Sequence, residues 1–171
     1  MRALFIYGLV VLGLFACNNE PGHNHEHNHQ LPEGITESIG TAGTVEMADG
    51  NITITADDNM NFNVREIRVK AGQETTLTLL HIGKASREAM GHNFVLLKKG
   101  VTVEDFAPKA IEASDNEYIP KNTTDVLVHT RMLGGGESDT IKFKAPAKGE
   151  YEFLCSFPGH ASLMRGLFIV E

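Results

Sequence analysis

Short segments of alternating apolar and polar residues follow one another from about residue 44 to the C-terminus, with turn sequences between them. Successive side chains of a strand point to opposite faces, so this alternation predicts strands with one buried face. Many short strands at this spacing are typical of an all-β sandwich or barrel. The alternating apolar pairs are Ile52 and Ile54, Ile67 and Val69, Leu77 and Leu79, and Ile141 and Phe143.

One segment, around residues 103–117, departs from the β pattern and predicts a short helical insertion. Thr102 stands where an N-cap residue would begin the helix. Pro108 is expected to kink the helix or to shift its start. The apolar residues at helical spacing are Val103, Phe106, Ala107, Ala110 and Ile111.

The segment 154–164 carries a thiol, an imidazole and a thioether: Cys155, His160 and Met164. Alternation makes Cys155 the last residue of a buried strand, and the Pro158-Gly159 turn would bring His160 back towards the sulfur. Thiolate and thioether favour Cu(I), whereas imidazole suits both oxidation states of copper. The combination therefore predicts a copper site.

A type 1 copper site needs a second imidazole, and His92 in the segment 90–96 is the best candidate. The preceding Gly91 would let the backbone approach the ion closely. Without the Cys155 loop, His92 would be interpreted as a histidine that merely begins a strand. A structural zinc site with the same ligands is the weaker hypothesis, because thioether is a poor zinc ligand.

These motifs resemble the azurins, which are small blue copper proteins of the cupredoxin family. The resemblance rests on the spacing Cys155-x4-His160-x3-Met164 together with the sequence MGHN at 90–93. It extends over about residues 43–171, because the segments 61–63, 80–83, 129–131 and 134–139 are also azurin-like. It implies a Greek-key β-sandwich with one short helical insertion, one type 1 copper per chain, and electron transfer as the function.

The ligand chemistry and the resemblance together predict how each residue of the site would act. Cys155, His92 and His160 would form the strong trigonal plane, with Met164 as the long axial ligand. The resemblance adds the Gly91 carbonyl as a weak ligand on the opposite axial side.

The resemblance also implies roles around the ligands. The backbone N–H groups of Asn93 and Phe157 would donate hydrogen bonds to the Cys155 sulfur, and the Asn93 side chain would tie the two ligand loops together. His81 shares the inward parity of the strand 77–81, which predicts a core histidine satisfied by hydrogen bonds. The resemblance places His81 beside the metal site without contact to copper.

The sequence departs from the azurin pattern at two places. Azurins carry a disulfide near their N-terminal strands, but this chain has only Cys17 and Cys155. Phe94 stands where a tryptophan usually follows the His-Asn pair. Neither change involves a ligand.

An apolar patch around the edge of His160 is expected to admit redox partners. We expect Met90, Phe157, Pro158 and Leu163 to form it, although Phe157 and Leu163 could instead belong to the core. Small, dry contact surfaces suit weak redox encounters.

The predicted function is a one-electron carrier and not an enzyme, because protein ligands fill all the strong positions and leave no open site for a substrate. A dinuclear copper site would need a second cysteine in the loop, and a nitrite reductase would need further histidines. Redox proteins such as c-type cytochromes, or a copper or haem reductase or oxidase, are the expected partners. The formal charge of −7 disfavours nucleic acid as a partner.

Residues 1–16 are predicted to be a signal peptide, because an apolar run too short to span a bilayer follows the single basic residue Arg2. The run ends in Leu14-Phe15-Ala16-Cys17, which resembles the lipobox of bacterial lipoproteins, in which the cysteine is lipidated. The alternative is an ordinary signal cleaved near Cys17. Either way we expect an exported protein, periplasmic or anchored to a membrane only through a lipid on Cys17.

Residues 17–42 are rich in polar residues and glycine and are predicted to be a flexible tether, which leaves 43–171 as one folded domain. Alternating imidazoles in the tether could bind metal weakly. This suggests an alternative function, a copper-binding or copper-delivery lipoprotein whose tether gathers metal. The four histidines are His23, His25, His27 and His29.

Overall fold

The structure is a computed structural model that describes residues 43–46 and 49–171. The predicted signal peptide, Cys17, the tether and its four histidines lie outside these residues. Among the described residues, no helix is long and apolar enough to cross a membrane.

Ten strands form two sheets in the described part of the chain. The strands are β1 Thr44–Glu46, β2 Asn51–Asp57, β3 Asn61–Phe62, β4 Glu66–Val69, β5 Glu74–His81, β6 Val95–Leu97, β7 Val126–His129, β8 Ser138–Lys144, β9 Gly149–Leu154 and β10 Arg165–Val170. Two helices, α1 Arg87–Met90 and α2 Val103–Ile111, and two 3₁₀ turns, Ser114–Asn116 and His160–Ser162, complete the structure.

The six-stranded sheet has the order β1-β4-β10-β9-β6-β7, and the four-stranded sheet has the order β3-β2-β5-β8. Both are mixed: β4 runs parallel to β1 and β10, and β2 runs parallel to β5. Side chains from both sheets meet in one hydrophobic core, so the predicted β-sandwich is confirmed. Each aliphatic side chain buried there contributes about 1.5–3 kcal/mol. The buried residues of this core include Ile52, Ile54, Ile67, Leu77, Leu79, Phe153 and Phe168.

A second, smaller hydrophobic cluster lies beneath α2. Its strand residues Val95, Leu97 and Leu154 point away from the main core, so β6 and β9 bury side chains on both faces. Phe106 is the largest side chain that α2 contributes, and it is fully buried. This cluster holds the helical insertion against β6, which follows the His92 segment, and against β9, which precedes Cys155.

The predicted helix is present but shorter than expected. Thr102 is its N-cap and accepts a hydrogen bond from the Asp105 N–H at 3.2 Å, as predicted. Pro108 lies inside the helix, which still begins at Val103, so the proline does not shift its start. After a 3₁₀ turn, Glu117 and Tyr118 both adopt positive φ and end the insertion. Helix α1 was not predicted from the sequence; it is a single turn of four residues that ends immediately before Gly91.

Candidate metal centre

Cys155 begins the loop that follows β9. The strand ends at Leu154, one residue earlier than predicted, but the Cys155 N–H still donates a hydrogen bond to the Met164 carbonyl at 2.9 Å. Gly159 adopts φ of +82°, a conformation that favours glycine, and the chain then enters the 3₁₀ turn that starts at His160. The loop thus returns His160 to the sulfur of Cys155.

His92 reaches the same point from the other ligand loop. Its backbone exchanges two hydrogen bonds with Leu133, at 3.0 and 2.8 Å, which fixes its position before β6 begins. Gly91 has a φ of −67°, so no unusual backbone conformation requires glycine there. A Cβ at residue 91 would instead lie 2.5 Å from the Arg87 carbonyl oxygen and 2.9 Å from the Met132 sulfur. The glycine therefore permits close packing of α1 and Met132 against this loop.

Three potential ligand atoms converge. The Cys155 Sγ lies 3.6 Å from Nδ1 of His160 and 3.9 Å from Nδ1 of His92, and the three ligand atoms all lie within 4.8 Å of one another. Metal–ligand bonds of about 2.0–2.3 Å in a trigonal plane separate a sulfur from a nitrogen by about 3.7 Å. The observed spacings therefore fit one ion held between the three side chains.

The other two predicted ligands lie next to this cluster. The Gly91 carbonyl oxygen is 3.8 Å from the Cys155 Sγ. Met164 is fully buried in the same hydrophobic cluster as Cys155, and its N–H donates to the His160 carbonyl at 2.8 Å. Both residues are held close to the thiol by the backbone of the loops.

Burial determines the protonation of the three groups. It raises the pKa of the Cys155 thiol to about 12, an effect that the N–H groups of Asn93 and Phe157 partly offset by hydrogen bonding to the sulfur. Burial lowers the pKa of both His92 and His160 to about 4, which leaves neutral imidazoles. A buried thiol of this kind becomes a thiolate when a cation coordinates it, and neutral imidazoles are the form that binds metal.

Hydrogen bonds around the cluster orient its members. His92 Nε2 lies 2.9 Å from the Asp57 carbonyl oxygen, which requires Nε2 to carry the proton and leaves Nδ1 free to bind metal. Asn93 makes three hydrogen bonds with Ser156, the residue after Cys155: two at 2.8 Å and a third, from the Ser156 hydroxyl to Asn93 Oδ1, at 3.2 Å. The resemblance to azurins implied that Asn93 ties the two loops together. Its partner Ser156 was not predicted, although the position of Ser156 beside Cys155 was a signal.

His81 is buried beside the cluster, with its ring centroid 4.4 Å from that of His92. Its Nε2 lies 3.2 Å from Asp58 Oδ1, but its Nδ1 has no hydrogen-bond partner within the described structure. The prediction of a core histidine satisfied by hydrogen bonds is thus wrong for one of its two nitrogens. His81 is not among the three converging residues.

Of the residues of the predicted apolar patch, Phe157, Pro158 and Leu163 lie in the segment between β9 and β10, and Met90 is the last residue of α1. Leu163 is 50% exposed, so the interpretation of this residue as core is wrong. Met90, Phe157 and Pro158 are half-buried. The Phe157 ring packs against the His160 ring, with a centroid distance of 4.6 Å, and also against the main core.

A β-sandwich that closes a cysteine and two histidines around one buried point, with the spacing of a single ion, defines a copper protein of the cupredoxin class. The chain belongs to the plastocyanin/azurin family of copper-binding proteins, because the model of that family matches residues 48–171. The predicted resemblance to azurins and the predicted copper cofactor are confirmed.

Relatives and solved structures agree with this assignment. The chain is 39% identical to azurin of Bordetella pertussis over 142 residues, covering 80% of this chain and 94% of the relative. It is 34% identical to outer membrane protein H.8 of Neisseria gonorrhoeae, with 95% of this chain and 94% of the relative covered. An azurin from Methylomonas sp. strain J superimposes with a TM-score of 0.66 at 36% identity, covering 72% of this chain and 99% of the azurin. Reduced auracyanin from Roseiflexus castenholzii also has a TM-score of 0.66, at 34% identity, with 73% and 99% coverage.

Proposed function

We propose that the protein is an exported blue copper protein that carries one electron at a time between redox partners. The observation that supports this most directly is the buried convergence of Cys155, His92 and His160, whose ligand atoms lie within 4.8 Å of one another. Bound copper would accept an electron from one partner as Cu(II) and release it to another as Cu(I).

In this proposal His92, Cys155 and His160 would hold copper as strong ligands, and the Met164 thioether and the Gly91 carbonyl would be weaker ligands. Other groups of the chain would prepare these ligands for copper. The Asp57 carbonyl fixes the tautomer of His92, the N–H groups of Asn93 and Phe157 stabilise the thiolate, and burial excludes water.

The proposal of a carrier, as opposed to an enzyme, rests on this enclosure. The three converging side chains are almost fully buried, with His160 the most exposed at 3%. Side chains of the protein supply the ligands, so a substrate would find no vacant strong position. Electron transfer requires no bond to form or break, and it tolerates a closed site.

Partners would approach at the apolar patch of Met90, Phe157, Pro158 and Leu163. The Phe157 ring packs against the His160 ring, which supports a docking surface beside one of the proposed ligands. We infer that c-type cytochromes, or a copper or haem reductase or oxidase, dock there.

The absorption and EPR spectra of the protein loaded with Cu(II) test the electron-carrier proposal. We expect an intense blue band and a narrow copper hyperfine splitting, both lost in Cys155→Ser. Cys17→Ser is the matched control, because it removes the other cysteine of the chain, and it should keep both features. A pale, ordinary Cu(II) spectrum in the unmodified protein would refute the proposal.

We further propose that Cys17 is lipidated and that residues 17–42 tether the domain of residues 43–171 to a membrane. The lipobox-like sequence 14–17 supports this, as does the similarity to a relative described as an outer membrane protein. Membrane fractionation tests the anchor: Cys17→Ser should release the protein, whereas Cys155→Ser should leave it attached. If Cys17→Ser stays in the membrane fraction, the proposed anchor is wrong.

Copper delivery is the second candidate function, and the four histidines of the segment 23–29 favour it. A delivery protein should pass copper to an acceptor such as a Cu(I) chelator within one encounter, whereas a carrier should keep its copper through many redox cycles. Deleting residues 23–29 should leave the blue spectrum intact if the folded domain alone forms the site.

A further inference from the structure

Arg65 lies between β3 and β4, about a hundred residues before the Cys155 loop, yet its guanidinium contacts that loop. Nη1 donates a hydrogen bond to the Leu163 carbonyl oxygen and another, at 3.3 Å, to the Arg165 carbonyl oxygen. Nη2 donates to Asn61 Oδ1 at 3.1 Å. The two carbonyls belong to the residues immediately before and after Met164.

The backbone fixes the origin of the Arg65 side chain. Its N–H donates to the Gly43 carbonyl at 2.8 Å, and its carbonyl accepts from the Leu167 N–H at 2.9 Å. A Cβ at residue 166 would lie 2.3 Å from the Arg65 carbonyl oxygen, so Gly166 permits this close approach of β10. The guanidinium therefore extends from an anchored position.

Met164 itself uses its backbone groups within the ligand loop. Its N–H donates to the His160 carbonyl at 2.8 Å, and its carbonyl accepts the Cys155 N–H at 2.9 Å. The carbonyls of Leu163 and Arg165, which flank Met164, thus remain for a donor from outside the loop. The two hydrogens of Nη1 can serve both carbonyls while Nη2 binds Asn61, so the guanidinium holds three acceptors in one plane.

Arg65 differs in this respect from Arg68, the next arginine along the chain. Arg68 pairs with the carboxylates of Glu66 and Glu171, each at 2.8 Å. Over 43–46 and 49–171, no ion pair involves Arg65. Its charge is directed to main-chain carbonyls, and hydrogen bonds from charged donors are stronger than neutral ones.

We propose that Arg65 is a positioning residue for Met164: by holding the carbonyls on both sides, it fixes the distance of the axial thioether from the metal and so sets the reduction potential. In blue copper sites the axial ligand tunes that potential. The inference deepens the proposed function, because it rests on Met164 as the axial ligand.

Amide hydrogen exchange in the copper-free protein is the first test. Arg65→Ala should make the Cys155 and Met164 amides exchange about tenfold faster or more, because these N–H groups bond within the segment that Arg65 holds. Arg65→Lys should give an intermediate rate, since a single ammonium nitrogen can donate to the carbonyls but lacks the second nitrogen that anchors the guanidinium on Asn61. Arg68→Ala, the matched control, should leave both rates unchanged.

The copper-loaded proteins supply the second measurement. Arg65→Ala should displace the midpoint potential and alter the relative intensities of the thiolate-to-copper bands, whereas Arg68→Ala should change neither. If Arg65→Ala does not fold, Arg65→Lys carries the same comparison.

Three outcomes would overturn the inference: unchanged amide exchange in Arg65→Ala, an unchanged midpoint potential in copper-loaded Arg65→Ala, or equal changes in Arg68→Ala. The exchange experiment needs no copper, so it separates this inference from the proposed function. Absence of the blue band in the unmodified protein would refute the proposed function, while faster exchange in Arg65→Ala would still show that Arg65 holds the Met164 segment.

Discussion

Asn93 and Ser156, the residues that follow His92 and Cys155 respectively, bind each other through both ends of the Asn93 amide. Asn93 Nδ2 donates to Ser156 Oγ at 2.8 Å, and Asn93 Oδ1 accepts the Ser156 N–H at 2.8 Å. Both residues are buried, so these bonds have little competition from water. The pair makes the separation of the two proposed ligands a fixed property of the fold, present before any metal binds.

Asn93→Ala should therefore destabilise the copper-free protein by about 2–4 kcal/mol, because it leaves the Ser156 N–H and hydroxyl buried without this partner. Urea unfolding measures the loss. Ser156→Ala is the matched comparison: it keeps the N–H bond to Asn93 Oδ1 and leaves only Asn93 Nδ2 without this partner, so it should cost less than Asn93→Ala, about 1–2 kcal/mol. Equal losses of unfolding free energy in the two variants would show that the hydrogen bond from the Ser156 N–H to Asn93 Oδ1 does not stabilise the protein.

Gly91→Ala should disturb the site through packing. The new methyl group would meet the Arg87 carbonyl and the Met132 sulfur, so α1 or the His92 loop must move, at a cost of about 1–3 kcal/mol. We expect an altered copper EPR spectrum as well as a lower midpoint of unfolding.

Gly136→Ala is the control for that experiment. Gly136 has φ of +78° and open space around its Cβ position, so alanine there should cost about 1–2 kcal/mol through backbone strain alone. Its copper spectrum should match that of the unmodified protein. A normal spectrum in Gly91→Ala would contradict the proposed coupling between this glycine and the ligand loop.

The second hydrophobic cluster should contribute to stability without touching the metal centre. Phe106→Ala leaves a cavity beneath α2 and should cost about 3–5 kcal/mol. Ile111→Ala, at a residue of the same helix that is 51% exposed, should change stability by less than about 0.5 kcal/mol. Chemical denaturation measures both, and a blue spectrum in folded Phe106→Ala would show that the cluster and the site are separable.

The proposed ligands could be singled out from the sequence to the extent that they are close together in it. Cys155, His160 and Met164 fall in one segment, so their residue types and spacing indicate copper chemistry directly. His92 lies about sixty residues earlier, and only the MGHN motif and the resemblance to azurins singled it out. The sandwich was predictable because alternation reports one buried face for each strand.

Residues that act through long-range contacts left no local signal. Arg65 and Leu163 are 98 positions apart, and no periodicity connects them. Helix α1 is a single turn of four residues, too short for a helical pattern to emerge. For His81, inward parity predicted burial correctly, but alternation says nothing about which hydrogen-bond partners a buried ring will find.

The apolar patch leads to a prediction about electron exchange. Leu163→Glu places a charge where partners are proposed to dock, and in self-exchange two such charges would face each other. We therefore expect the self-exchange rate, measured from NMR line broadening in mixtures of oxidised and reduced protein, to fall about tenfold or more. Ile111→Glu provides the matched control, because Ile111 is 51% exposed against 50% for Leu163 but lies on α2, outside the patch. It adds the same net charge and should leave the rate nearly unchanged. Equal slowing in both variants would assign the effect to net charge, and the proposed docking surface would then be wrong.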